Sequence, residues 1–155
     1  TTAPSALGAL KGMADAYIEF NRNRVSKSGQ RIGQDPAAAL AVARALLMID
    51  EMKGRLYANY ANLIAQAEGR LTVTMDTRRQ YRFQSALIPS RCAQLACDLY
   101  RVAGGSAIYE ERPLGRYLAD IMAIQTHGLN NYQVHANAWA GTLLGNEEAA
   151  KSYIA

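Results

Sequence analysis

The sequence predicts an all-α fold, an antiparallel four-helix bundle with extra short helices at its C-terminal end, and three observations carry that reading. Apolar residues recur three and four apart through nearly the whole chain. Most of the 12 glycines and 4 prolines fall where those runs begin or end. The chain has 155 residues, half of them apolar, enough for one hydrophobic core, so residues 1–155 are expected to form a single helical-bundle domain.

The first helix opens at Pro4 and Ser5 and is expected to run to about Arg24, with Leu7, Leu10, Ala14 and Tyr17 on its inner face. Residues 25–35 carry Ser, Gly and Gln without an apolar period and read as a loop. Asp35-Pro36 restarts the chain as a capping side chain followed by proline at the first helical position. The second helix should reach about Gly69, with Val42, Ile49, Met52, Leu56 and Leu63 as a seam. Leu71 to Met75 alternates like a strand but has no partner, so it is expected to be a linker or a helix start. The third helix covers about Asp76 to Val102, with Ile88, Cys92, Leu95, Leu99 and Val102 inward and a kink expected at Pro89. Gly104-Gly105 ends it. Arg112-Pro113 opens a fourth helix whose stripe is Leu114, Leu118 and Ile121, and Gly128 is expected to close it. A fifth helix, about Asn130 to Ala140, would present Tyr132, Ala136, Trp139 and then Leu143 on one side, with a short turn within 147–155.

Composition excludes several classes. Seventeen Lys and Arg against 13 Asp and Glu leave a formal +4, too weak a field for a dedicated nucleic-acid binder, so no nucleic acid is expected. Thirteen of the cations are Arg, whose planar fork suits phosphate, carboxylate and interface pairs. Cys92 and Cys97 fit neither a disulfide framework nor a paired metal spacing, which points to a reducing, cytoplasmic setting with no metal. The longest stretch free of charge, Ile121 to Asn146, is broken by Gln125, His127, Gly128, Asn130, Asn131, His135 and Asn137, so no membrane span is expected. That amide-rich segment holds both histidines.

His127, read as the end of the fourth helix, has two readings. A neutral imidazole can take a proton from a phenol; an imidazolium can satisfy a helix terminus. His135 has no carboxylate pair or Cys/His cluster nearby, and with Tyr132 and Trp139 it reads as core. Gly104-Gly105-Ser106 follows a helix, not a strand, so it is no dinucleotide fingerprint. Arg22, Arg24, Lys27 and Arg31 form one cationic group and Arg78, Arg79 and Arg82 a second; solvated charge and phosphate or subunit contact are both open.

Taken in order, Gly104, Gly105, Ser106, Ala107, Ile108, Tyr109, Glu110, Pro113, Leu114, Arg116, Asp120 and His127 resemble the C-terminal helical domain of the acyl-CoA dehydrogenase superfamily. Arg22 to Arg24, Asp35-Pro36, Ala43, Ile49, Asp50 and Arg55 extend the resemblance from about Leu7 to Leu144. Ala119 and Arg101 stand where dehydrogenases favour Arg and Gln, and Glu110 and Glu111 do not match their catalytic carboxylate, which directs the resemblance to two-component flavin-dependent aromatic monooxygenases. The resemblance implies a C-terminal fragment, inactive alone, of a larger flavoenzyme. That enzyme would take reduced flavin, FMNH2 or FADH2, from a separate flavin reductase and hydroxylate a phenolic or other aromatic substrate with O2. It also implies a homotetramer, a dimer of dimers. On this model His127 is the base or hydrogen-bond partner, and Arg24, Arg101, Gly104 and Gly105 contact flavin phosphate or nucleotide across a subunit interface. Acyl-CoA or nitroalkane oxidation, and a free-standing helical oligomerisation module, are the alternatives.

Overall fold

The computed structural model describes residues 2–26, 29, 31–108 and 113–151. Four helices make the bundle: α1 Ala3–Asn21, α2 Pro36–Ala67, α3 Met75–Ala103 and α4 Leu114–Gln125. Two short helices follow, α5 Tyr132–Ala136 and α6 Glu147–Lys151, separated by a π turn at Asn137–Gly141. Among the described residues the extended backbone amounts to one isolated antiparallel bridge, Val25 to Arg31. Among the described residues no helix is long and apolar enough to cross a membrane.

Printed contacts fix the directions. Asn59 donates to Gln84 and Asn62 to Tyr81, so α2 and α3 run antiparallel. Gly12 lies against Tyr117 while Thr2 bonds Asn130, so α1 and α4 run antiparallel too. The C-terminal ends of α1 and α3 therefore share one end of the bundle with the N-terminal ends of α2 and α4. The core between them is built from Leu10, Met13, Ala45, Met52, Leu56, Cys92, Leu99, Leu114 and Ile121. Alanines at Ala3, Ala6, Ala14, Ala41, Ala45 and Ala96 let the helices approach closely around these larger side chains.

The starts follow their sequence signals. Asp35 accepts from the Ala37 amide ahead of Pro36, and Thr74 accepts from Thr77 ahead of α3. Leu71 to Thr74 is linker, held where the Gln66 side chain accepts from the Val73 amide at 3.1 Å. Gly104 takes φ +64°, a conformation open to glycine, and ends α3. α3 continues as helix through Pro89, which is buried in the core.

Several boundaries differ from the sequence reading. α1 stops at Asn21, three residues early, because the Asn21 amide turns back onto the Tyr17 carbonyl at 2.9 Å. Pro113 caps α4 from outside it, and Arg112 lies outside the described residues with Lys27, Tyr109, Glu110 and Glu111. α4 ends at Gln125 as the Thr126 hydroxyl bonds the Ala123 carbonyl at 2.9 Å; Gly128 opens a 3-10 turn, Gly128–Asn130, and does not close the helix. The fifth helix is interrupted by the π turn, whose wider winding breaks the expected face. Ala138 and Gly141 turn inward, and Leu143 is exposed.

One close approach is testable. A Cβ on Gly12 would meet the Tyr117 ring at 2.8 Å, so Gly12→Val is expected to cost about 1–3 kcal/mol in thermal or urea denaturation. Adding Tyr117→Ala should recover part of that loss relative to Tyr117→Ala alone; independent, additive effects would contradict the contact.

Candidate functional site

His127 follows the last turn of α4 in extended geometry, φ −63° and ψ 134°. Its Nδ1 accepts from the Leu129 amide at 3.2 Å, so the imidazole caps the 3-10 turn. An amide can only donate, so Nδ1 is unprotonated in this bond and the neutral ring carries its proton on Nε2. In this geometry His127 presents an N–H donor. To take a proton at Nε2 as a neutral base, the ring must move its proton to Nδ1 and give up the Leu129 contact. The side chain is exposed in this chain, so the walls of any water-excluding site around it have to come from outside the bundle.

Asn130 holds this turn. It is buried, its Nδ2 donates to the Ile124 carbonyl and to the Thr2 hydroxyl, both at 2.6 Å, and Thr2 donates back to Oδ1 at 2.9 Å. The Asn130 amide also donates to the His127 carbonyl at 2.8 Å. One residue therefore ties the end of α4 and the residue before α1 through its side chain, and the His127 carbonyl through its backbone N–H. Spacing gave no sign of this role; the surplus of amides in an uncharged segment was its only trace.

The four other candidates lie at or past the C-terminal ends of α1 and α3, toward the end of the bundle where α4 begins; α4 is about 18 Å long at 1.5 Å per residue, and Arg101 also lines a cavity with Gln125 at the far end of α4. Arg24 lies just past α1, half-buried, stacked over Phe20 at 5.0 Å with a 3.3 Å bond to Asn21 Oδ1. Arg101 is exposed on the last turn of α3 and pairs with Asp98 at 2.9 Å. Gly104 and Gly105 are exposed, and a Cβ on either would meet open space. The single-chain fold thus brings Arg24, Gly104 and Gly105 toward one end and leaves His127 past the other.

Among the described residues, cavities lie between the helices of the bundle, and three of them bear on the candidate residues. One of about 660 Å³ separates α2 from α3 beside Asp50, Glu51, Arg55, Gln84 and Arg91. A second, about 430 Å³ and apolar, lies between α1 and α2 against Tyr17, Ile32, Val42 and Leu46. The third, about 330 Å³, runs between α3 and α4 past Cys97 and Arg101 and takes Met122 and Gln125 from the uncharged segment. His127 lines none of the three.

Other titratable groups have structural causes. Burial lowers the His135 pKa, the nearby Arg82 lowers it further, and the Leu129 backbone pulls it partly back. Phe83 meets Trp139 at 5.7 Å beside it, and Arg78, Arg79 and Arg82 are half-buried, so this arginine group is packed rather than freely solvated. Burial pushes the Cys92 thiol up to about 12, which makes it inert packing; Cys97 is half-buried. Among the described residues no group of three or more His, Cys, Asp or Glu can hold a metal ion.

The family model for the acyl-CoA dehydrogenase C-terminal domain matches residues 1–132. The chain belongs to this family. The matched region contains Arg24, Arg101, Gly104, Gly105 and His127, and stops at the start of α5. Among curated relatives, the pigment production hydroxylase of Rhodococcus erythropolis is 24% identical over 126 residues, covering 81% of this chain and 32% of that protein. The HsaA oxygenase subunit of a flavin-dependent monooxygenase from Rhodococcus jostii is 26% identical over 137 residues, covering 84% and 35%. In fold, the chain is similar to XiaF from Streptomyces sp., solved in complex with FADH2 and glycerol, at TM-score 0.82 and 19% identity over 92% of this chain and 37% of that one. The chain thus spans about a third of the length of the curated relatives it matches. The bundle's all-α architecture is that of the family domain.

Two outcomes are expected. Asn130→Ala, which removes the buried side-chain bonds to the Ile124 carbonyl and to Thr2, should cost about 1–3 kcal/mol in chemical denaturation. For His135, whose folded pKa lies below its ordinary 6.5, the unfolded chain binds the proton more readily. Its stabilising share is complete above about 6.5 and falls as the pH drops toward the depressed value. His135→Gln should therefore lose less melting temperature than the parent between about pH 7.5 and about pH 5.

Proposed function

We propose that this bundle is the C-terminal part of a flavin-dependent monooxygenase that hydroxylates a phenolic or other aromatic substrate. The observation that carries the reading is the alignment of more than four-fifths of the chain with flavin-dependent hydroxylase relatives, with His127 inside the matched region and its Nε2 free of intrachain bonds among the described residues. The intact protein would take reduced flavin, FMNH2 or FADH2, from a separate flavin reductase. The FADH2 complex of the similar XiaF fold supports the reduced state of that cofactor.

The residues present fit a flavin's phosphate end in kind. Gly104 and Gly105 leave backbone open to close approach, Arg24 supplies a half-buried guanidinium, and the exposed Arg101–Asp98 pair is weak enough to exchange Asp98 for a phosphate. When bound, the reduced flavin supplies the electrons that let O2 deliver one oxygen atom to the ring. His127 orients the substrate oxygen through Nε2–H, and it accepts the phenolic proton at Nε2 when the ring lets go of Leu129. Asn130 fixes the backbone from which His127 projects.

Placement of His127 past one end of α4 and of Arg24, Gly104 and Gly105 toward the other favours an assembly in which each bundle serves two flavins, its own at the His127 end and a neighbour's at the Gly104 end. A homotetramer, a dimer of dimers, meets that requirement. Unpaired cysteines, one of them fully buried, favour a reducing cytoplasmic setting.

In the complete enzyme supplied with reduced flavin, O2 and a phenol, His127→Ala should lower hydroxylation turnover about 10²- to 10⁴-fold while reduced-flavin affinity stays near that of the parent. Unchanged turnover would remove His127 from the chemistry. Bleaching of bound oxidised flavin by an acyl-CoA without any reductase would instead favour dehydrogenase chemistry.

A further inference from the structure

Both histidines meet on one turn. The turn Gly128–Asn130 is tied to His127 twice, by the Leu129 amide on Nδ1 at 3.2 Å and by the Asn130 amide on the His127 carbonyl at 2.8 Å. A further tie comes from the opposite side, where the half-buried His135 imidazole on α5 bonds the Leu129 backbone. That bond favours the protonated ring, so the ring N–H donates and the Leu129 carbonyl accepts. The Leu129 carbonyl and the Asn130 N–H belong to a single planar peptide group. Hydrogen bonds therefore run in line from the His135 ring, through the 129–130 peptide, to the His127 carbonyl, and bonds in such a chain polarise one another.

Side-chain packing does little to hold the middle of this turn. The Leu129 side chain is 49% exposed, and Gly128 has none. Asn130 anchors the far end of the turn through the Ile124 carbonyl and Thr2, which leaves the 129–130 peptide plane to be set by what its two edges bond. His135 is a firm post for one of those edges. α5 and the turn both pack on α3, and Arg82 of α3 lies beside the ring. Burial and the Arg82 charge both oppose a second proton on the imidazole, so the neutral ring has one N–H to give and Leu129 receives it.

We propose that His135 is a positioning residue for His127: by holding the 129–130 peptide it keeps the Leu129 amide on His127 Nδ1, and so fixes the His127 ring with its proton on Nε2. His135 lies beyond residue 132, where the match to the family domain ends, so the domain pattern does not assign it. Release of the Leu129 contact, which His127 needs before it can accept a proton at Nε2, is then governed from α5. The inference rests on the proposed function for turnover alone; the tautomer of His127 reads it independently.

The test uses the complete protein carrying 15N-labelled histidine. Solid-state NMR at about pH 8, where an ordinary imidazole is neutral, separates protonated from bare ring nitrogens, and the His127→Ala spectrum identifies the His127 signals. The parent should show His127 as one tautomer, with Nε2 protonated and Nδ1 bare. His135→Phe keeps a flat ring and removes the donor. It should add a protonated Nδ1 signal at His127 and lower hydroxylation turnover at least about threefold, with circular dichroism showing the fold retained. His135→Leu takes its place should the Phe ring disturb the fold. His135→Gln and His135→Asn carry an amide N–H near the positions of the imidazole Nε2 and Nδ1, and at least one of them should restore both the tautomer and the turnover. A folded His135→Phe or His135→Leu protein that keeps the parent's single His127 tautomer would overturn the proposal, whatever its turnover. So would a released Nδ1 that neither amide variant reverses. A shifted tautomer in His135→Phe, together with unchanged turnover in His127→Ala, would keep the positioning role and strike only His127 from the chemistry.

Discussion

Everything in this bundle depends on the burial of α3 from Ser85 onward. Ser85, Ile88, Pro89, Cys92, Leu95, Ala96 and Leu99 are enclosed by α1, α2 and α4 together, so this one helix sets the spacing of the other three. Proline in a helix interior removes a hydrogen bond and crowds the preceding turn. The chain tolerates it at Pro89 because burial on several sides holds the backbone helical where an isolated peptide would bend or fray. The alanine-rich faces of α1 and α2 are the complement of this arrangement: small side chains permit close approach, and the larger Leu10, Met13, Met52 and Leu56 fill what remains.

Chemistry then falls to the helix ends. Helix middles satisfy their own backbone groups, while ends leave amides and carbonyls for side chains, turns or ligands to meet. Both regions of interest follow this rule. At one end, Gly104 in a left-handed conformation stops α3 beside Arg101, and Arg24 lies past α1. At the other, Thr126, His127 and Asn130 share out the groups freed where α4 stops. The His127 imidazole is therefore at once a local cap and an open donor, and any work it does as a base competes with its structural bond.

How far the sequence disclosed this varied with the range of the interaction. The cap at Asp35-Pro36, the stop at Gly104 and the inner stripes of α2 and α3 were legible because each is settled within one or two turns of backbone. The end of α4 was not. Gly128 looks like a helix stop, but the Thr126 hydroxyl and the Asn130 side chain end the helix first, and Asn130 draws its strength from Thr2 at the other end of the chain. The face expected from Tyr132 to Leu143 failed similarly, since a π turn winds wider than the helical period used to draw it.

The sequence by itself determined the class of fold, the number of long helices, the family resemblance and the candidate residues His127, Arg24, Arg101, Gly104 and Gly105, because periodicity, capping and motif order are local properties of the chain. Only the tertiary structure decided that these residues divide between two ends of the bundle, that Asn130 joins the site, and that α2 keeps a second apolar face in solvent. Direction of packing, burial of a lone amide and exposure of a helix face arise from contacts between residues far apart in sequence, and no local pattern encodes which of two equally apolar faces the core will take.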